Sequence, residues 1–179
     1  MKRRMAREYA IQSLYQMEMS GVPAPIAVQA AVESGLDGDG EDAAAPPAIE
    51  RHDLDEVLRL VEGAYARREE IDRLLSGYLK GWRLERLSRV DRQILRLAVY
   101  EMLYGEEAFG EATPPKVAVN EAIELAKRFG TEESGRFVNG VLGKMILEEE
   151  RIRSRLNEPD EAVETGVRET NSTSGHSGK

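Results

Sequence analysis

The chain of 179 residues contains no cysteine, which excludes disulfide bonds, thiolate metal ligands and a cysteine nucleophile. Histidine is nearly as scarce: neither His52 nor His176 has the neighbours that a metal site or a general base requires. No apolar run approaches the roughly 18 residues of a membrane span, and the basic N-terminus does not lead into an apolar segment. We therefore expect a cytoplasmic protein with no catalytic centre, no cofactor, no metal and no membrane partner.

The charge of the chain is unevenly distributed along the sequence. The formal net charge is −8, which taken alone argues against a nucleic-acid-binding protein. However, Lys2, Arg3, Arg4 and Arg7 all precede the first acidic residue, and much of the acidity lies in two segments that look dispensable to a folded core, 37–42 and 158–169. The net charge is therefore a poor guide to the local electrostatic potential at the N-terminus.

The stretch from Ser88 to Tyr104 predicts the central helix of the protein. Its apolar residues cover well over half of the helix circumference, which is typical of a helix surrounded by other helices. The remaining arc carries the guanidinium groups of Arg89, Arg92 and Arg96 on one face. Ser88 followed by Asp91 has the form of a capping box and predicts where this helix starts. We infer an all-α fold organised around this helix.

Helical periodicity continues through most of the chain, and we expect about seven helices in one domain over residues 1–156. The predicted segments are 5–18, 26–33, a long stretch at 53–79, a turn at 84–87, the central helix, 116–128 and a last long helix at 132–153. Asn139-Gly140 usually indicates a hairpin, but here the helical period continues on both sides. Composition predicts a flexible acidic loop at 34–47 and a disordered polar tail at 157–179.

Without a catalytic constellation, the residues favour a binding function. An arginine-rich helix start offers contacts to phosphates, and a nearby aromatic ring offers a stacking face to an unpaired base. The alternative for Arg3 and Arg4 is a solvated terminus, and the alternative for Phe129 and Phe137 is core packing. Glu101 lies at the edge of the apolar arc of the central helix, where a structural carboxylate satisfied by a donor is favoured over catalysis.

Three blocks of the sequence resemble the NusB transcription antitermination factors. The first is Arg-Arg-Met-Ala-Arg-Glu at 3–8 with Leu14-Tyr15, and the second is Val-Asp-Arg-Gln-Ile-Leu-Arg-Leu-Ala-Val-Tyr-Glu at 90–101. The third and closest is Pro-Lys-Val-Ala-Val-Asn-Glu-Ala-Ile-Glu-Leu-Ala-Lys-Arg-Phe-Gly at 115–130, continued by Arg-Phe-Val-Asn-Gly-Val-Leu at 136–142. The blocks follow the family order and span roughly residues 2–147, so together they are specific.

The resemblance implies an all-helical fold of two small helical halves and no enzymatic activity. It implies binding of boxA, a short single-stranded RNA element of ribosomal RNA leader transcripts, together with NusE, a small-subunit ribosomal protein. It also implies a larger complex with NusA, NusG and RNA polymerase, and a monomer or homodimer when the protein is free. By position, the implied RNA-contacting residues are Arg3, Arg4, Arg7, Tyr15, Lys116, Phe129, Glu133 and Phe137. Asp91 matches an acidic position associated with NusE contact.

Two other functions compete with this interpretation. The first is a helical protein-interaction module that does not bind RNA. The second is the accessory domain of ribosomal-RNA cytosine methyltransferases, which has a similar helical fold, but 179 residues leave no room for a nucleotide-binding α/β domain. The segments 34–47 and 157–179 depart from the family pattern without touching its motifs, and either could alter oligomeric state or access of RNA.

Overall fold

The computed structural model describes residues 1–35 and 49–158, and every regular element in these ranges is helical. This confirms the all-α fold class. The elements are α1 (Arg3–Ser20), α2 (Ala24–Ser34), α3 (Arg51–Ala66), α4 (Arg68–Ser76), a 3-10 turn (Leu84–Arg86), α5 (Arg89–Phe109), α6 (Pro115–Phe129), α7 (Ser134–Leu147) and α8 (Glu149–Asn157). Within the described ranges, none of these helices is both long and apolar enough to cross a membrane.

Helix α5 is the centre of the fold, as its apolar circumference predicts. It contacts α1, α3, α4, α6, α7 and α8, and its residues Ile94, Leu95 and Val99 are fully buried. Helices α1, α2 and α3 pack on one another, whereas α6 and α7 pack together on α5. The arrangement agrees with two small helical halves joined through the central helix.

The start of α5 is set by Ser88, whose Oγ accepts a hydrogen bond from the backbone N–H of Asp91 at 3.1 Å. Only this half of the expected capping box is formed. The Oδ1 atom of Asp91 is buried and has no hydrogen-bond partner among the described atoms. The side chain of Asp91 is therefore left with an unused acceptor near the N-terminus of the central helix.

Two helices that periodicity predicts as continuous are interrupted, so the six predicted helices and one turn become eight α-helices and one 3-10 turn in the described ranges. The stretch 53–79 breaks at Arg67 (φ −96°, ψ 7°), and the stretch 132–153 breaks at Glu148 (φ −114°, ψ 11°). At each break a side chain makes a contact distant in the sequence: Arg67 binds Glu107 of α5, and Glu148 accepts a hydrogen bond from Tyr78 in the turn after α4. The local hydrophobic pattern does not indicate these long-range contacts, so it does not predict the breaks.

The predicted helix ends also need correction. Helix α1 begins at Arg3 rather than residue 5, and α5 continues to Phe109, past a kink at Tyr104 (φ −127°, ψ 31°). Asn157 is the last residue of α8 and not the first residue of a tail. Ser34 ends α2, and residues 36–48 and 159–179, which hold most of the predicted loop and tail, lie outside the described residues.

Candidate nucleic-acid interface

The three arginines at the start of α1 differ in how far they reach solvent. The side chains of Arg3 and Arg4 are 47% and 57% exposed, whereas that of Arg7 is only 5% exposed. Helix α1 starts at Arg3 without a side-chain cap, so its first turn leaves backbone N–H groups unpaired beside these cations. Two of the three predicted N-terminal contacts are thus at the surface, and the third lies inside.

Arg7 forms a buried ion pair with Glu101 of α5. Its Nε lies 2.9 Å from Oε1, and its Nη2 lies 2.7 Å from Oε2, which is a two-pronged contact between planar groups. Burial raises the pKa of Glu101, and the guanidinium of Arg7 opposes that rise. Glu101 is therefore the satisfied structural carboxylate that its place in the sequence predicted.

Phe109 supports the two arginines on this side of α1. The guanidinium of Arg3 lies 4.8 Å from the centroid of the Phe109 ring, and that of Arg7 lies 5.0 Å from it. Arg3 also forms an ion pair with Glu111, which follows α5 in the chain. Phe109 was not among the predicted site residues, because its position was expected to be a loop beyond the central helix and no motif marks it.

Arg4 and Glu8 hold α1 beside α6 through two further ion pairs. Arg4 donates to Glu121 from Nε at 3.0 Å and from Nη2 at 2.8 Å, and these hydrogen bonds lower the pKa of Glu121. Arg128 donates to Glu8 at 3.1 Å; burial raises the pKa of Glu8 against this contact. We call the three N-terminal arginines and their carboxylate partners the arginine seam: Arg3, Arg4, Arg7, Glu101, Glu111 and Glu121.

The other predicted contacts on α1 and α6 also lie at or near the surface. Tyr15 is 38% exposed, Lys116 is exposed in the first turn of α6, and Phe129 is half-buried at the end of that helix. Because the Arg4 and Glu8 pairs hold the two helices side by side, these residues occupy neighbouring helices. Ion pairs thus join the two helices that carry these cationic and aromatic side chains.

The corner between α6 and α7 depends on Gly130, although not for the reason expected from a glycine after a helix. Its backbone is extended (φ −92°, ψ −164°) rather than left-handed. A Cβ atom there would lie 2.4 Å from Oγ of Ser134 and 2.7 Å from the carbonyl oxygen of Ala126. Ser134 Oγ also accepts a hydrogen bond from the N–H of Thr131 at 2.9 Å. Glycine is therefore required by close packing of the corner.

A groove of about 400 Å³ opens beside this corner, and we call it the aromatic groove. Its lining includes Trp82, Leu87, Asp91, Glu133 and Phe137. Trp82 is 63% exposed, Phe137 is half-buried, and the unpaired Oδ1 of Asp91 belongs to the same lining. The groove brings together two predicted RNA contacts, Glu133 and Phe137, and the predicted partner contact, Asp91. It also includes Trp82, for which the sequence indicated only the end of a helix.

Glu133 occupies the N-cap position of α7 without capping it. Its carboxylate makes no hydrogen bond to the helix, and it approaches Arg136 only at 4.0 Å. A carboxylate at a helix N-terminus partly offsets the positive end of the helix dipole. In the described ranges, no group of three or more His, Asp or Glu side chains is placed to hold a metal ion.

A family model and individual relatives both relate this chain to the same family, NusB. The sequence model of the NusB family matches residues 4–147, a range that includes every predicted site residue except Arg3. A transcription antitermination protein NusB of Symbiobacterium thermophilum is 47% identical over 146 residues, covering 82% of this chain and 90% of that protein.

Two solved structures extend the comparison to the fold. NusB of T. maritima has a TM-score of 0.65 with 35% identity, covering 83% of this chain and 92% of that one. A chain from a crystal structure of the antitermination factors NusB and NusE in complex with double-stranded RNA has a TM-score of 0.63 with 25% identity. It covers 81% of this chain and 96% of that one.

Proposed function

The chain belongs to the NusB family, it is a transcription antitermination factor and not an enzyme, and we propose that it binds boxA RNA of ribosomal RNA transcripts together with NusE. In this proposal the pair acts within a larger complex with NusA, NusG and RNA polymerase. One observation supports it above the others: the aromatic groove brings the exposed ring of Trp82, the half-buried ring of Phe137 and the unpaired Oδ1 of Asp91 together beside the α6–α7 corner.

In this proposal, cationic side chains bind the RNA phosphates and aromatic side chains stack on the RNA bases. The exposed cations Arg3, Arg4 and Lys116 contact phosphates, because each can reach solvent from α1 or α6. Tyr15, Phe129 and Phe137 offer ring faces to bases, and base stacking needs unpaired nucleotides. We therefore propose a single-stranded ligand, although the related NusB was crystallised with NusE and double-stranded RNA.

Arg7 and Glu133 have indirect roles in this proposal. The guanidinium of Arg7 is occupied by Glu101 and covered by Phe109, so Arg7 acts as a positioning residue that supports the ring beneath Arg3. Glu133 faces the RNA surface from the N-terminus of α7, where its charge weakens the attraction of phosphate to that terminus. Arg7 thereby affects the placement of Arg3, and Glu133 affects the strength of RNA binding.

NusE is proposed to contact Trp82, Arg86 and Asp91 of the aromatic groove, which leaves Phe137 and Glu133 to the RNA. The unpaired Oδ1 of Asp91 requires a donor, and a basic or hydroxyl side chain of a partner would supply it. Exposed tryptophan and arginine side chains are enriched at protein interfaces, and Trp82 and Arg86 line the same groove. The groove thus combines an anchoring ring with an unsatisfied acceptor.

The test is a titration of labelled boxA RNA against the full chain, with and without saturating NusE. We expect tighter RNA binding with NusE, because a partner extends the limited basic surface of an acidic chain. Linkage then requires RNA to tighten NusE binding by the same factor. A scrambled RNA and a double-stranded boxA serve as controls. Equal affinity for all three RNAs, or no effect of NusE, contradicts the proposal.

Variants of Arg4 test the seam directly. Arg4→Ala should weaken boxA binding and lower the slope of log affinity against log salt by about 0.7 for each phosphate that the variant no longer neutralises. The double variant Arg4→Ala/Glu121→Gln controls for the carboxylate that the single variant leaves unpaired. Arg151→Ala removes an exposed arginine from α8 and should leave RNA binding unchanged.

An RNA-independent interaction module is the second candidate function. The observation in its favour is that Arg3, Arg4 and Arg7 each already hold a carboxylate, which reduces the positive charge offered to RNA. This candidate predicts full NusE affinity, no preference for boxA and no effect of Arg4→Ala on RNA binding. The titration of boxA with and without NusE separates the two functions.

A further inference from the structure

A second cavity, of about 450 Å³, lies between the C-terminal half of α1, the α3–α4 junction and the first turns of α5. It shares no lining residue with the aromatic groove. Its lining includes Glu18, Arg68, Arg92, Gln93 and Arg96, and the proposed function uses none of these side chains. We call it the arginine cavity.

The arginine cavity is rich in donors and poor in acceptors. The carboxylate of Glu18 receives hydrogen bonds from Arg92 and Gln93, and it also lies 3.8 Å from Arg96 and 3.7 Å from Arg89. The other edge of Arg96 binds Asp72 through two contacts of 2.7 Å. Three guanidiniums therefore share two carboxylates among the described residues.

A fourth guanidinium, that of Arg68, adds to this surplus at the rim. It stacks 4.0 Å from the centroid of the Tyr65 ring and donates to the carbonyl oxygen of Tyr65. Its carboxylate contact among the described residues is with the exposed Glu69, at 4.0 Å. Because a surface contact of that length contributes little, the charge of Arg68 remains largely available to an anion.

The side chain of Arg92 has a buried donor that lacks an acceptor. Its Nη1 donates to the carbonyl oxygen of Leu84 at 3.2 Å and its Nη2 donates to Glu18, but its Nε is buried with no partner among the described atoms. Leaving a charged donor buried without an acceptor is unfavourable. An external ligand with several acceptor oxygens would satisfy it.

We propose that the arginine cavity binds a phosphate oxyanion, with Arg92 and Arg68 as its donors. The planar forks of arginine match the oxygen geometry of phosphate, and the surplus positive charge favours an anion. Glu18 is an internal competitor for the same guanidiniums, because it now occupies the donors that the anion would use. Neutralising Glu18 should therefore strengthen phosphate binding.

The phosphate can be a free ion or part of an RNA backbone. Tyr15 lies one turn before Glu18 on α1, so a strand that follows α1 past Tyr15 would arrive at Glu18 and at Arg89 beside it. The RNA form of the proposal rests on the proposed function, whereas the free-ion form does not. Both forms require the same donors.

The first experiment titrates inorganic phosphate into the full chain, with chloride at equal ionic strength as the reference. Binding is read from the side-chain Nε–Hε resonances of the arginines and from the melting temperature. We expect a phosphate-specific shift of Arg92, affinity roughly tenfold tighter in Glu18→Gln, and affinity roughly tenfold weaker in Arg68→Gln. Arg151→Gln is the matched control and should change nothing.

Two results would overturn the proposal. One is a response to phosphate no larger than the response to chloride in both the natural chain and Glu18→Gln. The other is phosphate binding that Arg68→Gln and Arg92→Gln leave unchanged, which would place the ion elsewhere. Arg68 is at the surface, so Arg68→Gln remains informative if Arg92→Gln does not fold.

The second experiment identifies the source of the phosphate. If RNA supplies it, Arg68→Gln and Arg89→Gln each lower the salt slope of RNA binding by about 0.7, and inorganic phosphate competes with RNA. If RNA binding is unchanged while phosphate binding is abolished, the ligand is the free ion. Failure of the proposed function is recognised separately, because it would make RNA binding insensitive to Arg4→Ala.

Discussion

The arginine seam and the aromatic groove differ in how far their polar groups are satisfied. In the seam, each guanidinium already holds a carboxylate, and Arg7 and Glu101 are buried together. In the groove, Trp82 is exposed and the Oδ1 of Asp91 is buried without a partner among the described atoms. The buried Arg7–Glu101 pair holds the fold in place, whereas the unsatisfied groups of the groove leave contacts for a ligand to make.

This difference predicts opposite consequences of substitution. Changes in the interior of the seam should act mainly on the free energy of unfolding, because they leave a buried charge uncompensated. Changes in the groove should act mainly on binding, because its groups have few partners within the chain. Substitutions at Arg7, Asp91, Phe137, Glu133 and Glu121 test that division, in order of decreasing expected effect.

Arg7→Ala should lower the free energy of unfolding by about 3–5 kcal/mol, since Glu101 is left buried without its counter-charge. Arg3→Ala removes an exposed ion pair and should cost about 0–1 kcal/mol. Urea denaturation of both variants measures the two values. Equal losses would show that the inner and outer parts of the seam are equivalent.

Asp91→Asn should weaken NusE binding by about 1.5–3 kcal/mol, because it removes the charge from a charge-assisted hydrogen bond with the partner. The free energy of unfolding should change by about 1 kcal/mol or less, through the helix dipole alone. Calorimetric titration with NusE gives the affinity. Glu106→Gln, which neutralises an exposed carboxylate on the same helix, is the control and should leave the affinity intact.

Phe137→Ala should lose about 1–3 kcal/mol of RNA affinity for each stacked base. Its effect on unfolding should stay below the roughly 3–5 kcal/mol of a fully buried phenylalanine, because the side chain is only half-buried. Phe129→Ala should reduce both RNA affinity and stability. A Phe137→Ala protein that melts far earlier yet binds RNA normally when folded would assign this ring to the core.

Glu133→Gln should tighten RNA binding by about 0.3–1 kcal/mol, because it removes a negative charge from the N-terminus of α7. The effect should decrease as salt is added. Glu150→Gln makes the same charge change on α8 and should not tighten binding beyond the general effect of net charge. Weaker binding in Glu133→Gln would instead indicate that this carboxylate accepts a hydrogen bond from RNA.

The smallest predicted effect concerns pH. Arg4 lowers the pKa of Glu121 below its ordinary value, so the pair stabilises the fold fully above the ordinary glutamate pKa. That stabilisation disappears as the pH falls through the lowered pKa, and it should amount to about 1 kcal/mol or less because Arg4 is largely exposed. The difference in unfolding free energy between the natural chain and Glu121→Gln should therefore shrink in acid; a constant difference would contradict the prediction.

The local features of this protein could be predicted from its sequence. Helical periodicity, the cap at Ser88 and the apolar circumference of 88–104 depend on residues within a few turns of one another. They therefore identified the all-α class and the central helix, and the satisfied state of Glu101 followed from its place on that helix. The predicted contacts from Arg3 to Phe137 remain predictions that titration with RNA and NusE can test.

Only the tertiary structure decided which charges are free. The partner of Arg7 is 94 residues away and that of Arg4 is 117 residues away, so no spacing in the sequence distinguishes a buried pair from an exposed one. The same holds for the helix breaks at Arg67 and Glu148 and for the ring of Phe109 beneath Arg3. Helices form from local interactions, but which helix faces pack together depends on contacts between distant residues, which a periodic pattern does not encode.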